Sequence, residues 1–442
     1  MDINLLCGSI KCPKCGRVHN GLLKFAHIRS GAIDSIPGMI RECFNARRVF
    51  LLADKNTYRV AGESVASVLG EGGIEYSEFI FNEERLAPDE EAVGAAVLHY
   101  DYSAEVVIGV GSGVINDIGK VLSRIAGVPY IIVATAPSMD GYASALSSME
   151  RDGLKVSIPA KCPDAVIGDT DILRDAPEQM LRAGLGDMIA KYISICEWRI
   201  ASLICGEYYC EYIADIIRNA LRECVDNADG LMARDEAAVR AVFEGLLIGG
   251  IAMNFAGLSR PASGGEHYIS HIWDMRGLEF GTPVDLHGIQ CAIGTVIELK
   301  KYEELVRISA PSREEAMEYV RSFDYEAWCR KLRGFLGRAA DTMIELEKRE
   351  GKYAPDLHAK RLDTVLENWS AIRAIITEEL PRASEVERML GLIGAPRYAS
   401  DIDIPEELVP ITLCATRDIR DKYVLSRLVW DLGLTDRLFG EV

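Results

Sequence analysis

Between residues 47 and 175 the chain switches repeatedly between two hydrophobic patterns, and the elements named by it run to residue 135. RRVFLLAD (47–54), EYSEFIF (75–81), EVVIGVG (105–111) and PYIIVAT (129–135) are short apolar runs rich in β-branched and aromatic residues, which predict strands. TYRVAGESVASVLG (57–70), PDEEAVGAAVLHY (88–100) and GVINDIGKVLSRIAG (113–127) carry helical spacing, and the second has Pro and acids in its first turn. Apolar strands separated by helices predict a parallel sheet covered on both faces, a Rossmann-like doubly wound α/β domain. Ligands of such sheets sit beyond the carboxyl ends of the strands.

From about residue 176 the strand signal fades. Helical spacing runs through 177–204, 207–227, 235–257, 288–306 and 312–350, and in 362–376 it recurs at Leu362, Val365, Leu366, Trp369, Ile372 and Ile376. The expected organisation is an N-terminal segment (1–30), an α/β dinucleotide-binding domain (31–176) and an all-α domain (177–442). No apolar run is expected to reach the roughly 18 residues that span a bilayer. The N-terminal residues lack the basic and long apolar regions of a signal peptide. A net charge of −18 argues against nucleic acid or anionic lipid as a partner. Twelve scattered cysteines in a leaderless chain read as reduced, so a cytoplasmic location is expected.

Candidate chemistry begins at the first strand-to-helix turns. Gly109, Gly111 and Gly113 form G-x-G-x-G between a predicted strand and helix. Such a turn lets backbone approach a pyrophosphate at a helix N-terminus, or simply meets the dihedral needs of a tight turn. Asp54 ends an earlier strand, where a carboxylate can bind an adenosine ribose. TAPSMDGYAS puts Thr135, Ser138, Asp140 and Ser144 on a polar loop at the same sheet edge. Lys55 beside Asp54 leaves the choice between NAD and NADP open.

Three of the seven histidines are concentrated in SGGEHYISHIWD and VDLHGIQ. His267 and His271 fall one helical turn apart, and His287 begins a later helix. Glu266 precedes the first histidine, so the segment is not H-E-x-x-H. Asp187, read as near a helix start and flanked by glycines in AGLGDMIAK, is a helix cap, a partner for Lys191, or a third metal ligand. One Asp and two His with an open position suit a catalytic divalent metal; the spacing leaves open which two histidines ligate. Separately, CGSIKCPKCGRVH holds Cys7, Cys12, Cys15 and His19. A CxxC with a nearby Gly and His can chelate zinc, but no second CxxC follows, and ordinary thiols on a strand or loop fit as well.

Taken in order, GVGSGVINDIGK, TAPSMDGYAS, PDAVIGDTDIL, GLGDMIAKY, SRPASGGEHYISHIWD and LHG resemble the sn-glycerol-1-phosphate dehydrogenases. These lie in the superfamily of iron-containing alcohol dehydrogenases, glycerol dehydrogenases and dehydroquinate synthases. CGRVH and RDIRDKYVLSRLVWDLGL are similar to the bacterial branch. The resemblance implies a dehydroquinate synthase-like fold, and NAD(P)H-linked reduction of dihydroxyacetone phosphate to sn-glycerol 1-phosphate for phospholipid biosynthesis. It also implies zinc or nickel, and a homodimer or larger assembly. It assigns the metal to Asp187, His267 and His287, and substrate contacts to Asp140, Asp187 and His271, which are also the catalytic positions. Cofactor contacts fall on Asp54, Gly111, Gly113, Val114, Ile115, Asn116, Asp117, Thr135, Ser138 and Ser144. Lys155, Lys191 and Arg260 lie near the motifs as candidate phosphate ligands. Other members of the superfamily, an unphosphorylated-alcohol dehydrogenase or a cyclase that recycles NAD, are the alternatives.

Overall fold

The computed structural model describes residues 3–309 and 312–441. Near the N-terminus, β1 (Ser9–Lys11) and β2 (Val18–Asn20) form a small antiparallel hairpin. The main sheet is built from β3 (Phe25–Arg29), β4 (Arg48–Asp54), β5 (Glu75–Phe81), β6 (Val106–Gly111) and β7 (Tyr130–Ala134). After a second hairpin, β8 (Leu146–Arg151) with β9 (Leu154–Pro159), it is completed by β10 (Ala165–Asp169). Its six strands are all parallel, in the order β3-β10-β7-β6-β4-β5. β6, β7 and β10 are buried at every residue, as the continuous apolar runs require of strands covered on both faces.

The α/β sheet followed by helices is the expected architecture, and each predicted strand and helix of 47–135 is present. The chain passes from β4 outward to β5 and then returns to place β6 on the other side of β4. Strand order therefore reverses between β4 and β6, the topological switch point at which doubly wound sheets hold their ligands. Beside it, Ala53 pairs with Val110, and Gly111 with Ala134 of β7.

β3, β10 and both hairpins add to the elements expected from the pattern. FAHIR is short and only partly buried, so its alternation carries little weight, yet it pairs with β10 along its full length. The sheet thus starts before residue 31.

Two compact units divide the chain as Met1–Met188 with Glu211–Ser259, and Ile189–Cys210 with Arg260–Val442. This differs from the boundary at 176/177. The helices Glu211–Asp226 and Glu236–Ala256 belong with the sheet because close contacts tie them there. A side chain at Gly168 would run into Phe243, and a Cβ at Gly250 would lie 2.9–3.1 Å from Ala143. Asn254 Nδ2 donates to the Ala143 carbonyl at 2.7 Å. Helical periodicity names the apolar face but not the surface it meets.

Among the described residues, Glu236–Ala256 is one helix long and apolar enough to cross a membrane by length and composition. Arg240 and Glu244 interrupt its apolar run, so it qualifies on the mean over an 18-residue window and not as an unbroken apolar stretch. Of that window, 72% is buried inside the protein, which marks a core helix.

The second unit is helical. The stretch 312–350 is three helices, Arg313–Ser322, Tyr325–Leu336 and Ala339–Glu350. The first is started by a Ser312–Glu315 capping box and the second by Asp324, which caps Ala327; Gly337, at φ +56°, separates the second from the third.

Candidate active site

In the α/β unit, Asp54, Gly111 and Thr135 lie at neighbouring strand ends around the switch point. Asp54 Oδ1 accepts from Asn56 N (2.8 Å) and Thr57 N (3.0 Å), so the carboxylate caps the helical turn that follows β4. The Thr135 N–H donates to the Gly111 carbonyl at 3.1 Å. The helix Gly113–Ala126 starts directly after β6, with Ser112 as its N-cap. A Cβ at Gly111 would lie 2.6 Å from Ile115, so this glycine serves the packing of the turn. At Gly113 a Cβ would lie 3.6 Å from Met139, an ordinary contact, so packing does not demand a glycine there. Within the helix, Ile115 and Asn116 are buried, while Val114 and Asp117 are half-buried. Ser138 is half-buried on the loop after β7.

One helix binds the turn to the polar loop. Asn116 Nδ2 donates to the Gly141 carbonyl at 3.2 Å. Lys120, fully buried one turn on, donates to Gly141 O (2.5 Å), Leu146 O (3.0 Å) and Ser144 Oγ (3.3 Å). Burial pushes its amine pKa down, and Asp117 at 3.6 Å partly offsets this. Ser144 Oγ in turn reaches Gly141 O and Leu146 O, so its hydroxyl belongs to this internal network.

Asp187 is fully buried in the last turn of the helix Glu178–Ile189. The expectation of a place near a helix start is corrected: the apolar spacing ran on through 177–204, but the helix ends at Ile189 and a new one begins at Lys191. The Asp140 backbone N–H donates to Asp187 Oδ2 at 2.9 Å, which joins two predicted site residues. Gly184, one turn earlier, permits this approach; a side chain there would collide with the Pro137 carbonyl oxygen.

In the helical unit, His267 and His271 lie on the helix Gly265–Phe280, and His287 begins the helix His287–Leu305. The rings of His267 and His287 are 5.0 Å apart between centroids, and those of His271 and His287 are 5.7 Å apart and stacked. His267 Nδ1 meets Glu266 Oε1 at 2.7 Å, and His287 Nδ1 meets Ser270 Oγ at 3.0 Å. Both bonds fix ring orientation and assign the ligating role to Nε2. Cys291, one turn after His287, brings its thiol to 3.5 Å from His287 Nε2.

Behind His267 lie three buried carboxylates, Glu197, Glu266 and Glu298. Burial raises the pKa of each; the Glu266 charge further raises Glu197, and both neighbours further raise Glu298. Backbone N–H groups of Gly264 and Gly265 donate to Glu266 (2.9 Å) and Glu197 (2.8 Å). Side chains at either glycine would run into these carboxylates, which explains the pair in SGGEH. Arg260 is buried against Glu207, with contacts of 2.7–3.0 Å, and donates to Tyr423 O; this is a structural engagement. Lys191 is buried at the start of its helix, and Lys155 is half-buried on β9.

A glycerol-1-phosphate dehydrogenase (NAD(P)+) of Geobacillus stearothermophilus is 34% identical over 397 residues, covering 89% of this chain and 88% of that protein. The chain belongs to the glycerol-1-phosphate dehydrogenase family. A second relative of that name, from Halalkalibacterium halodurans, is 29% identical over 416 residues, 93% of this chain and 94% of its own. Residues 27–177 match the iron-containing alcohol dehydrogenase family. The fold is similar to that of an iron-containing alcohol dehydrogenase from Thermococcus thioreducens, with a TM-score of 0.57 and 14% identity over 95% of this chain and 99% of that one. As a member of the glycerol-1-phosphate dehydrogenase family the chain is an oxidoreductase.

Sequence reasoning did not assign roles to Lys120, Glu197, Glu266, Ser270, Cys291 or Glu298. Lys120 carried no readable signal. It sits one turn after Asn116 on the side of the helix opposite Ile115, Ile118 and Leu122, where a lysine ordinarily faces water, and only the fold shows that this side is buried too.

Proposed function

We propose that the chain reduces dihydroxyacetone phosphate to sn-glycerol 1-phosphate, using NADH or NADPH and one divalent metal, zinc or nickel. The observation that carries this reading is the convergence of three imidazoles, two of them with Nδ1 held by Glu266 and Ser270. Nitrogen ligands fixed in this way, joined by one carboxylate, suit zinc or nickel. In this reading Asp187, His267 and His287 hold the metal. When bound, the metal supplies Lewis acidity at a ketone oxygen and the nicotinamide supplies a hydride.

The chain's own residues do the rest. The switch point and the Gly113–Asp117 turn seat the dinucleotide, with Asp54, Thr135, Ser138 and Ser144 at the same edge. Asp140 and Asp187 fix the loop against the reacting end of the substrate. His271, one turn from His267, passes a proton toward the new hydroxyl. Residues 31–176 serve the nucleotide, and 177–442 contribute most of the metal and substrate contacts. Assembly as a homodimer or larger, and a cytoplasmic location, belong to the same reading.

The test is NADH and NADPH oxidation with dihydroxyacetone phosphate, using EDTA-stripped protein with zinc or nickel restored. Metal-dependent oxidation that fails with glycerol and simple alcohols is expected. Turnover of unphosphorylated alcohols alone would reject the phosphorylated substrate. In the same assay His271→Ala should lower turnover about 10²-fold, at the low end for a lost general acid, with metal content unchanged. Metal loss in that variant would make His271 a ligand.

A further inference from the structure

We propose that Cys12, Cys15, His19 and Cys210 form a closed structural zinc site, separate from the catalytic residues. The inference does not depend on the proposed reaction. It starts from the β1–β2 hairpin, whose connecting turn CPKCGR is folded as a metal-binding knuckle. The Cys12 N–H donates to Arg17 O (2.8 Å), and the Gly16 N–H donates back to Cys12 O (3.1 Å). Gly16 takes φ +72°, which a side chain rarely allows. The turn aims two backbone N–H groups, of Lys14 and Cys15, at Cys12 Sγ, each at 3.4 Å. Donors aimed at sulfur favour the thiolate, which is the ligating form.

His19 on β2 supplies the nitrogen. It is 2% exposed, and its Nδ1 meets the Phe255 carbonyl at 3.2 Å, which leaves Nε2 facing Cys15 Sγ at 3.6 Å. A zinc ion with bonds of about 2.3 Å to sulfur and about 2.0 Å to nitrogen places tetrahedral ligand atoms about 3.5–3.8 Å apart. The observed separation fits that edge. The ligating atoms of Cys12, Cys15 and His19 all lie within 4.8 Å of one another. Cys7 is not of this set; its thiol donates to Ile3 O at 3.7 Å.

The fourth ligand follows from chain connectivity. Tyr212 stacks on the His19 ring, with centroids 6.3 Å apart and planes within 4°. Two residues before Tyr212 is Cys210, 1% exposed. Three thiolates and one imidazole with no open position are the donor set of a structural zinc site. Such a site pins the hairpin to Phe255 in the helix Glu236–Ala256, whose Asn254 holds Ala143 of the Asp140 loop.

The experiment uses the full-length protein loaded with cobalt(II), read by the near-ultraviolet thiolate-to-cobalt charge-transfer band. The Asp/His/His set cannot produce that band, so the two sites are read separately. The wild type and His287→Ala should both show it. Cys15→Ser and Cys210→Ser should each lose intensity in proportion to the thiolate removed, and Cys7→Ser should keep it. Should the serine variants misfold, titrating the zinc-loaded wild type with an organomercurial should release one zinc per chain from these thiols. No band in the wild type, an unchanged band in Cys15→Ser or Cys210→Ser, or no zinc released by the mercurial would overturn the assignment.

Discussion

Asp187→Ala should lose bound metal and turnover together, with kcat/KM down by at least ~10³, or about 4 kcal/mol of transition-state stabilisation. The carboxylate is fully buried and sits in the last turn of its helix, where the backbone already presents partial negative charge. Burial and dipole both disfavour a carboxylate there unless positive charge offsets them. The Asp140 N–H supplies one donor at 2.9 Å. A divalent cation would supply positive charge at this carboxylate, and one Asp with two His is a catalytic donor set, which is why the proposal makes this residue a ligand rather than a cap. Asp187→Asn provides a steric control, because its carbonyl can still accept the Asp140 N–H. That variant should lose metal equally, yet melt no lower than the wild-type apoprotein. Metal content by elemental analysis and NADH binding by fluorescence separate loss of metal from loss of cofactor. Full activity of Asp187→Ala without added metal would sink the ligand assignment.

The centre of the sheet was legible because its strands bury both faces. The runs VFLLA, VVIGVG and YIIVA have no polar face to hide and so stand out from flanking helices. β3 was not legible, because its five residues FAHIR include His27 and Arg29 and give too short a pattern, whereas the equally peripheral β5 runs to seven residues and ends in FIF. The β8–β9 hairpin carried a signal that went unread. Asp152 and Gly153 both take positive φ, the two-residue turn that Asp-Gly favours. At the candidate site, the histidines could be singled out by spacing alone, and the structure brings their rings together. The carboxylates behind them could not. Glu197, Glu266 and Glu298 come from three helices, and only folding shows that they share one buried volume. The same holds for the helix Glu236–Ala256, whose place beside the Asp140 loop depends on the missing side chain of Gly250.

Lys120→Met should lower unfolding stability by about 2–4 kcal/mol and raise the KM for the dinucleotide. An ammonium has three protons to donate, and three acceptors surround Lys120: Gly141 O, Leu146 O and Ser144 Oγ. Methionine fills similar space but leaves two buried carbonyls without that donor, and Asp117 without its nearby cation. Desolvation of those groups, more than the loss of attraction, sets the cost. In thermal unfolding the α/β unit should melt roughly 5–10 °C lower, at a few degrees per kcal/mol for a unit of this size. The effect on cofactor follows from position. Lys120 lies on the helix whose first turn forms the candidate pyrophosphate site, and its partners lie on the loop that carries Asp140. Releasing that tie frees the loop without removing any residue proposed to touch metal or substrate. Metal content should therefore stay at the wild-type level while dinucleotide KM rises. An unchanged melting temperature with normal KM would show that the buried amine does not brace the loop. Lys120→Arg is the informative partner: a larger donor overpacks a site with 0% exposure, so it should restore little of the lost stability.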